Sequence, residues 1–426
     1  MTLHDMMRNR WIFWIALALL LPFTAGAGPE DYRFPRDPET TKGGYPLPLT
    51  GRPITKTPVV AKPNDVTLKK YPAHYIPGRE TLADDEMRIT IIGSGVPAPI
   101  RREQAAAGIL VSLGNGDHFI FDIGGDTAGK LYSMGIHPSQ FDKLFLTHLH
   151  LDHSAGILAL FDAMGWARNT PLHVWGSSSG TPDLGVKAFT ENIRRAADWH
   201  VMSKRVKLPV GGSKIVAHEF DYSKFSADKP NQLVYDNDNV KVYAFPVMHS
   251  LKGAVGYRLE WNSLTMVYTG DSEPTYLEAE QSKGADVFIH EVFPSIEAFA
   301  ASTKMSLEHA GKVVSTHTSP AELGVVFGIA KPRLGVGSHF SLGDDLIDDA
   351  FRNWRTTYDG PLLLAQDLTT INVTTEQIVS RQASTDLLAS PPEAPPQEGV
   401  DMSLGGPYPS ELALPTWLTK TRIRIE

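Results

Sequence analysis

Apolar and polar positions change rhythm often enough along this chain to place most elements before any chemistry is considered. Regular structure opens with an apolar strand at 87–92, followed by Gly93-Ser94-Gly95. Two glycines after a strand suggest a dinucleotide loop, but the third glycine of that fingerprint is missing and no helix opens there. Residues 108–113, the turn Gly114-Asn115-Gly116-Asp117 and the run His118-Phe119-Ile120-Phe121-Asp122 predict a hairpin. A helix-like stretch at 127–134 leads to a strand at 143–146, and Ser154-Ala155-Gly156-Ile157-Leu158-Ala159-Leu160 reads as the opening of a helix. Between 163 and 245 the pattern fades to one predicted helix at 187–200 and a polar loop at 177–180, an insert expected to form the substrate rim. It returns as strands at 240–245, 255–261, 264–268 and 286–291. A helix-like stretch opens at 316–321, a further strand ends in Ser338-His339, and a turn at 358–361 precedes a final strand at 362–365.

One stretch concentrates the chemistry. Thr147-His148-Leu149-His150-Leu151-Asp152-His153 puts three imidazoles and a carboxylate where a strand gives way to a helix. Alternate side chains of extended backbone point the same way, which pairs His148 with His150, and the turn offers Asp152 and His153 to a neighbouring position. The spacing suits two adjacent metals. Imidazole and carboxylate favour zinc, with manganese or iron as weaker occupants. His249, Asp271 and His339 also follow predicted strands, so one sheet edge can gather them as further ligands, with the Asp271 carboxylate as the natural bridge between two cations. His317 is the expected proton donor, preferred over His309, and Asp122 either orients a ligand histidine or is a plain turn aspartate. His118, His137, His173, His200 and His218 read as ordinary core or surface histidines.

Composition narrows the function. A chain of 426 residues, 42% hydrophobic, can bury a full core, and a formal charge of −8 argues against a broad nucleic-acid face. With no cysteine, disulfides, thiolate-bound zinc and cysteine nucleophiles are excluded. Arg8 and Arg10 precede an apolar run at 11–23 that ends near Ala25-Gly26-Ala27. This is the pattern of an export signal at 1–27, too short to span a bilayer comfortably, and it predicts a periplasmic or secreted protein with no stable membrane span after cleavage, with an uncleaved anchor as the alternative. Residues 28–82 form a Pro-rich arm, either disordered or draped over the domain, 83–381 the main domain, and 382–426 a Pro-rich tail.

In order along the chain, His148-x-His150-x-Asp152-His153, His249, Thr269-Gly270-Asp271 and Ser338-His339-Phe340-Ser341 resemble the metallo-β-lactamase superfamily over about residues 87–375. The resemblance implies an α/β fold, an αββα sandwich with metals at one sheet edge. Phe121-Asp122-Ile123-Gly124, His290-Glu291 and His317-Thr318-Ser319 are most similar to the ribonuclease Z and arylsulfatase-like branch. By that resemblance His148, His150 and His249 hold one zinc, Asp152, His153 and His339 the other, and Asp271 lies between them. Asp152 counts with His317 as a catalytic group. Leu342-Gly343-Asp344 follows where ribonuclease Z has Arg-Tyr, and there is no Lys-rich arm, so RNA processing is not expected. A narrower likeness to exported guanitoxin-biosynthesis metallo-hydrolases rests on Leu113-Gly114-Asn115-Gly116-Asp117, Glu260-Trp261-Asn262 and Tyr358-Asp359-Gly360-Pro361-Leu362. The expected reaction is hydrolysis of a small phosphate or sulfate ester by water activated between two zincs. A lactonase or thioesterase, and a non-catalytic zinc-binding envelope protein, are the alternatives. The sequence leaves room for a homo-oligomer without specifying one. Mass spectrometry of the exported chain should find an N-terminus at Gly28, and a mature chain beginning at Met1 would overturn the export reading.

Overall fold

Period-two alternation sorts the strands into two sheets packed face to face. The structure, a computed structural model, describes residues 68–96, 104–165, 168, 170–203, 211–386 and 412–422. The expected export signal at 1–27, the arm as far as residue 67, and 387–411 and 423–426 of the tail lie outside the described residues.

The strands in chain order are β1 (His74–Tyr75), β2 (Met87–Gly93), β3 (Gly108–Leu113), β4 (His118–Ile123), β5 (Lys143–Phe145), β6 (Leu172–Ser177), β7 (Ile215–Phe220) and β8 (Gln232–Asn237). They continue with β9 (Val240–Pro246), β10 (Val255–Trp261), β11 (Leu264–Tyr268), β12 (Val287–Glu291), β13 (Leu334–Ser338), β14 (Leu362–Leu364), β15 (Thr369–Val373) and β16 (Ile378–Ala383). Among the described residues one sheet runs β1-β16-β15-β2-β3-β4-β5-β6-β7 and the other β14-β13-β12-β11-β10-β9-β8. In β3, Ile109, Val111 and Leu113 face the second sheet while Leu110 faces outward, and Phe119 and Phe121 of β4 face inward while Ile120 faces outward. The second sheet mirrors this, with Val287 and Ile289 inward and Phe288 outward. Helices cover both outer faces. Leu131, Ile157 and Leu160 pack on the first sheet, and Leu323, Phe327 and Trp354 on the second. This is the expected αββα sandwich.

Three expectations need correction, while the described end of the arm, from residue 68, is draped over the domain, because β1 pairs with the last strand, β16. The Arg88 guanidinium lies 4.2 Å over the Tyr75 ring there, and Arg381 grips Glu80 through two hydrogen bonds of 2.8 and 2.9 Å. The insert, which does line a cavity beside the predicted site, is more regular than its pattern predicts, since it supplies β6, β7 and β8. β6 hides its alternation because nearly every residue is buried, and β8 because it is a half-exposed edge. Two strands follow the one expected to be last. β15, Thr-Thr-Ile-Asn-Val, is wholly buried despite its polar composition, and Asn372 bridges Glu86 and Arg381. Finally, the helix after the His-rich motif is broken. One turn, Leu151–Ser154, precedes the helix Ile157–Gly165. At the break a Cβ on Gly156 would stand 2.4 Å from the Gly124 carbonyl oxygen, so glycine is required by close approach.

Three contacts stitch the sheets together below the motif. The Tyr257 hydroxyl donates to the Leu146 carbonyl at 2.8 Å, Val255 N–H to Thr147 O at 2.9 Å, and the Tyr268 hydroxyl to Asp122 at 3.0 Å. Tyr257 is fully buried, so Tyr257→Phe removes one inter-sheet hydrogen bond and little volume. Urea unfolding of that variant should show a loss of about 1 kcal/mol.

Candidate metal centre

Parallel pairing gathers the chemistry at one edge. β11, β12 and β13 run parallel, and β9 shares their direction because both β9 and β11 are antiparallel to β10. His249, Asp271, Glu291 and His339 sit at or just beyond the carboxyl ends of these strands. In the first sheet β4 and β5, also parallel, deliver Asp122 and the 147–153 loop to the same place. Tight backbone turns throw these side chains inward: Asp122, Gly270 and His339 have φ of 57°, 63° and 51°. For the two non-glycine residues the left-handed conformation costs roughly 1–2 kcal/mol each. Gly270 is fixed by contact as well, since a Cβ there would lie 2.4 Å from Thr147 Oγ1.

The seven expected ligands converge as two sets sharing one residue. In the first, His150 Nδ1 lies 3.0 Å from His148 Nε2 and 3.3 Å from His249 Nε2. In the second, His339 Nε2 lies 3.2 Å from His153 Nε2 and 3.1 Å from Asp152 Oδ2. Asp271 gives one oxygen to each. Oδ1 is 3.0 Å from His153 Nε2 and 3.4 Å from His339 Nε2, and Oδ2 is 3.7 Å from His249 Nε2.

These residues fit a pair of cations on chemical grounds. His249 Nδ1 faces the Thr316 carbonyl at 3.0 Å; a carbonyl only accepts, so Nδ1 carries the proton and Nε2 points a lone pair inward. His153 is fixed likewise by Asp122, whose Oδ2 lies 2.7 Å from Nδ1. Its inward Nε2 then confronts the His339 nitrogen and two carboxylates, an arrangement of lone pairs that a shared cation satisfies. Asp271 Oδ1, buried, has no hydrogen bond of normal geometry among the described residues despite its close ring nitrogens. Asp122 is therefore the orienting group and not a plain turn residue. It also accepts from Thr147 N–H at 2.8 Å and Thr147 Oγ1 at 2.7 Å.

His317 stands beside the centre, its Nδ1 4.0 Å from Asp271 Oδ2 and 2.7 Å from Glu291 Oε2, with its ring stacked on Phe293. Burial pulls the imidazole down, but the Glu291 carboxylate overrides that and pushes it up to about 9. His309 is exposed on the helix Leu307–Val314, which leaves His317 as the histidine at the centre. None of the five histidines read as ordinary joins a metal-type cluster among the described residues, although His173 and His218 partner each other at 2.7 Å and stack against Trp175.

Sequence reading missed the residues behind these. Ser272 N–H donates to Glu291 Oε1 at 2.6 Å, and Ser272 Oγ to Glu278 Oε2 at 2.6 Å. Glu278, wholly buried, closes a capping box with Thr275 at the start of the helix Tyr276–Gln281. The Thr-x-x-Glu spacing was the available signal. Thr147, Tyr257 and Tyr268 carried none.

Two face-to-face sheets, flanking helices and this ordered His/Asp edge define a metal-dependent hydrolase of the metallo-β-lactamase superfamily, in its ribonuclease Z branch. A family model described as "Anti-Pycsar protein Apyc1" matches residues 87–304, and the chain belongs to that family. Ribonuclease Z of Thermococcus kodakarensis is 27% identical over 237 residues, covering 48% of this chain and 72% of that one. Ribonuclease Z of Methanococcus aeolicus is 28% identical over 167 residues, covering 39% of this chain and 44% of that one. The solved metallo-β-lactamase fold protein YhfI from Bacillus subtilis shares the fold, with a TM-score of 0.50 at 18% identity, over 68% of this chain and 100% of that one.

Asp122→Ala should free the His153 ring and weaken metal retention about 10- to 100-fold. Titration against a chelating indicator reads this directly, and unchanged retention would remove Asp122 from its orienting role.

Proposed function

We propose that this chain hydrolyses a small phosphate or sulfate ester with two zinc ions, one in each ligand set. The observation that carries the reading is the division of Asp271: each of its oxygens faces a different set of nitrogens. Zinc supplies water activation near neutral pH and countercharge for the anion that develops on the ester. The chain's own residues do the rest. Asp271 sets the spacing of the sets, and Asp122 and the Thr316 carbonyl fix the tautomers of His153 and His249. Glu291 holds the His317 proton on Nδ1, leaving Nε2 as the nitrogen that hands a proton to the departing oxygen.

Beside the first set lies a cavity of about 340 Å³, bordered by His148, His150 and His249 and walled by Leu149, Leu184 and Phe189. Lys252 and Asn192 also line it. This favours an ester whose organic part is compact and largely apolar, with a polar edge. The acidic chain and the absence of a Lys-rich arm support a small molecule over RNA, and the pattern at 1–27 supports an exported enzyme.

Metal analysis joined to a substrate panel tests this. Bis-nitrophenyl phosphate or nitrophenyl sulfate should be cleaved faster than homoserine lactones. A lactone preference would move the assignment to carbonyl chemistry, and cleavage of precursor transfer RNA to RNA processing. Asp271→Ala should lose metal and activity together, and an active, metal-free variant would refute the bridge. His317→Ala should keep both metals and lower kcat by about 10² to 10⁴.

A further inference from the structure

His339 differs from His148, His153 and His249 in how it is held. His148, His153 and His249 each have their outward ring nitrogen engaged, by Thr147 Oγ1 at 3.1 Å, Asp122 at 2.7 Å and the Thr316 carbonyl at 3.0 Å. The outward Nδ1 of His339 is buried and has no hydrogen-bond partner among the described residues. Among the described residues no hydrogen bond to Nδ1 sets the direction of this ring, so apart from its stacking on His153 at 5.0 Å its aim comes from the backbone, which at His339 is in the left-handed region.

That backbone is clamped from the first sheet. Phe340, the next residue, donates its N–H to Ser94 O at 2.8 Å and accepts Gln104 Nε2 on its carbonyl at 2.5 Å. Ser94 and Gln104 belong to the segment that follows β2, drawn together by Gly95 N–H on Ala105 O at 2.8 Å and by Gln104 Nε2 on Ser94 Oγ at 3.2 Å. A single carboxylate ties this clamp down. Asp367, 8% exposed between β14 and β15, accepts Ser94 N–H at 2.9 Å and Ser94 Oγ at 2.6 Å on Oδ1. Its Oδ2 accepts Ala105 N–H at 2.6 Å and pairs closely with Lys130.

We infer that Asp367 is a positioning residue for the second cation: through Ser94 and Gln104 it fixes the backbone of Phe340 and so aims the ring of His339, whose outward Nδ1 nothing holds among the described residues. The inference rests on the two-cation reading and is separable from it. Asp367 touches no ligand and no reacting atom, so its removal acts on one ligand set and leaves the His148, His150 and His249 set intact. Truncation would leave the donors of Ser94 and Ala105 unanswered in a buried place, and the clamp would open.

The test is zinc stoichiometry and affinity of the full chain, by elemental mass spectrometry and competitive chelation, with cobalt absorption as a second readout of ligand geometry. The wild type should hold two ions. Asp367→Ala should hold one tightly and bind the second about 10- to 100-fold more weakly, the range found when outer partners of ligands are removed. Asp367→Asn, which keeps an acceptor for Ser94, should fall between. Gln104→Ala opens the clamp without disturbing the buried carboxylate, and decides the matter if Asp367→Ala fails to fold. Glu86→Gln serves as a comparison: Glu86 is a buried carboxylate bonded to Tyr71 and Asn372, remote in its contacts from the ligands, and its loss should lower Tm while both ions stay. Two tightly held ions in Asp367→Ala or Gln104→Ala would overturn the inference. A wild type that never takes up a second ion would overturn the two-cation reading, and this one with it.

Discussion

A carboxylate only 2% exposed, set among the five imidazoles of the two candidate sets, is the constraint from which the rest of this structure follows. An ionised group taken out of water must be repaid by opposite charge or by hydrogen bonds. Asp271 receives neither from backbone donors, since its neighbours are ring nitrogens aimed at common points. The left-handed glycine before it and the parallel strands beside it exist to hold that carboxylate between two groups of ligands.

Around this centre the protein spends buried polar groups in a consistent way. Asp122 accepts from Thr147, Tyr268 and His153, which come from both sheets and from the motif itself. Glu278, Ser272 and Glu291 form a second chain that ends on His317. Each carboxylate is satisfied by neutral donors or by one histidine, so negative charge surrounds the centre without crowding it. The pull of Glu291 on His317 follows from this layout, as it holds the ring protonated beside the candidate metal centre.

Much of the fold was legible where one side of a strand faced the other sheet and the other faced helices, as in 240–245, 255–261 and 264–268. It was illegible where burial was two-sided, as in β6, or where polar residues were buried against one another, as in β15 and β16. The ligand set was legible because each member follows a strand and the first four residues stand almost side by side. Its supports were not. Tyr268, Thr147, Glu278 and Asp367 act across the fold at sequence separations that no local pattern encodes, and Asp367 meets Ser94 from 273 residues away. Only the capping role of Glu278 left a mark in the sequence.

The tight seat of Gly270 against Thr147 has a consequence for how the molecule is assembled. This contact joins the loop that bears Asp271 to the loop that bears the first histidines, and it forms only once the two halves of the sandwich have docked. Before that moment the chain offers a cation only a partial grip from the 148–153 loop. A cation held across both loops would therefore act as a latch on docking, its binding energy adding to the cohesion of the sandwich.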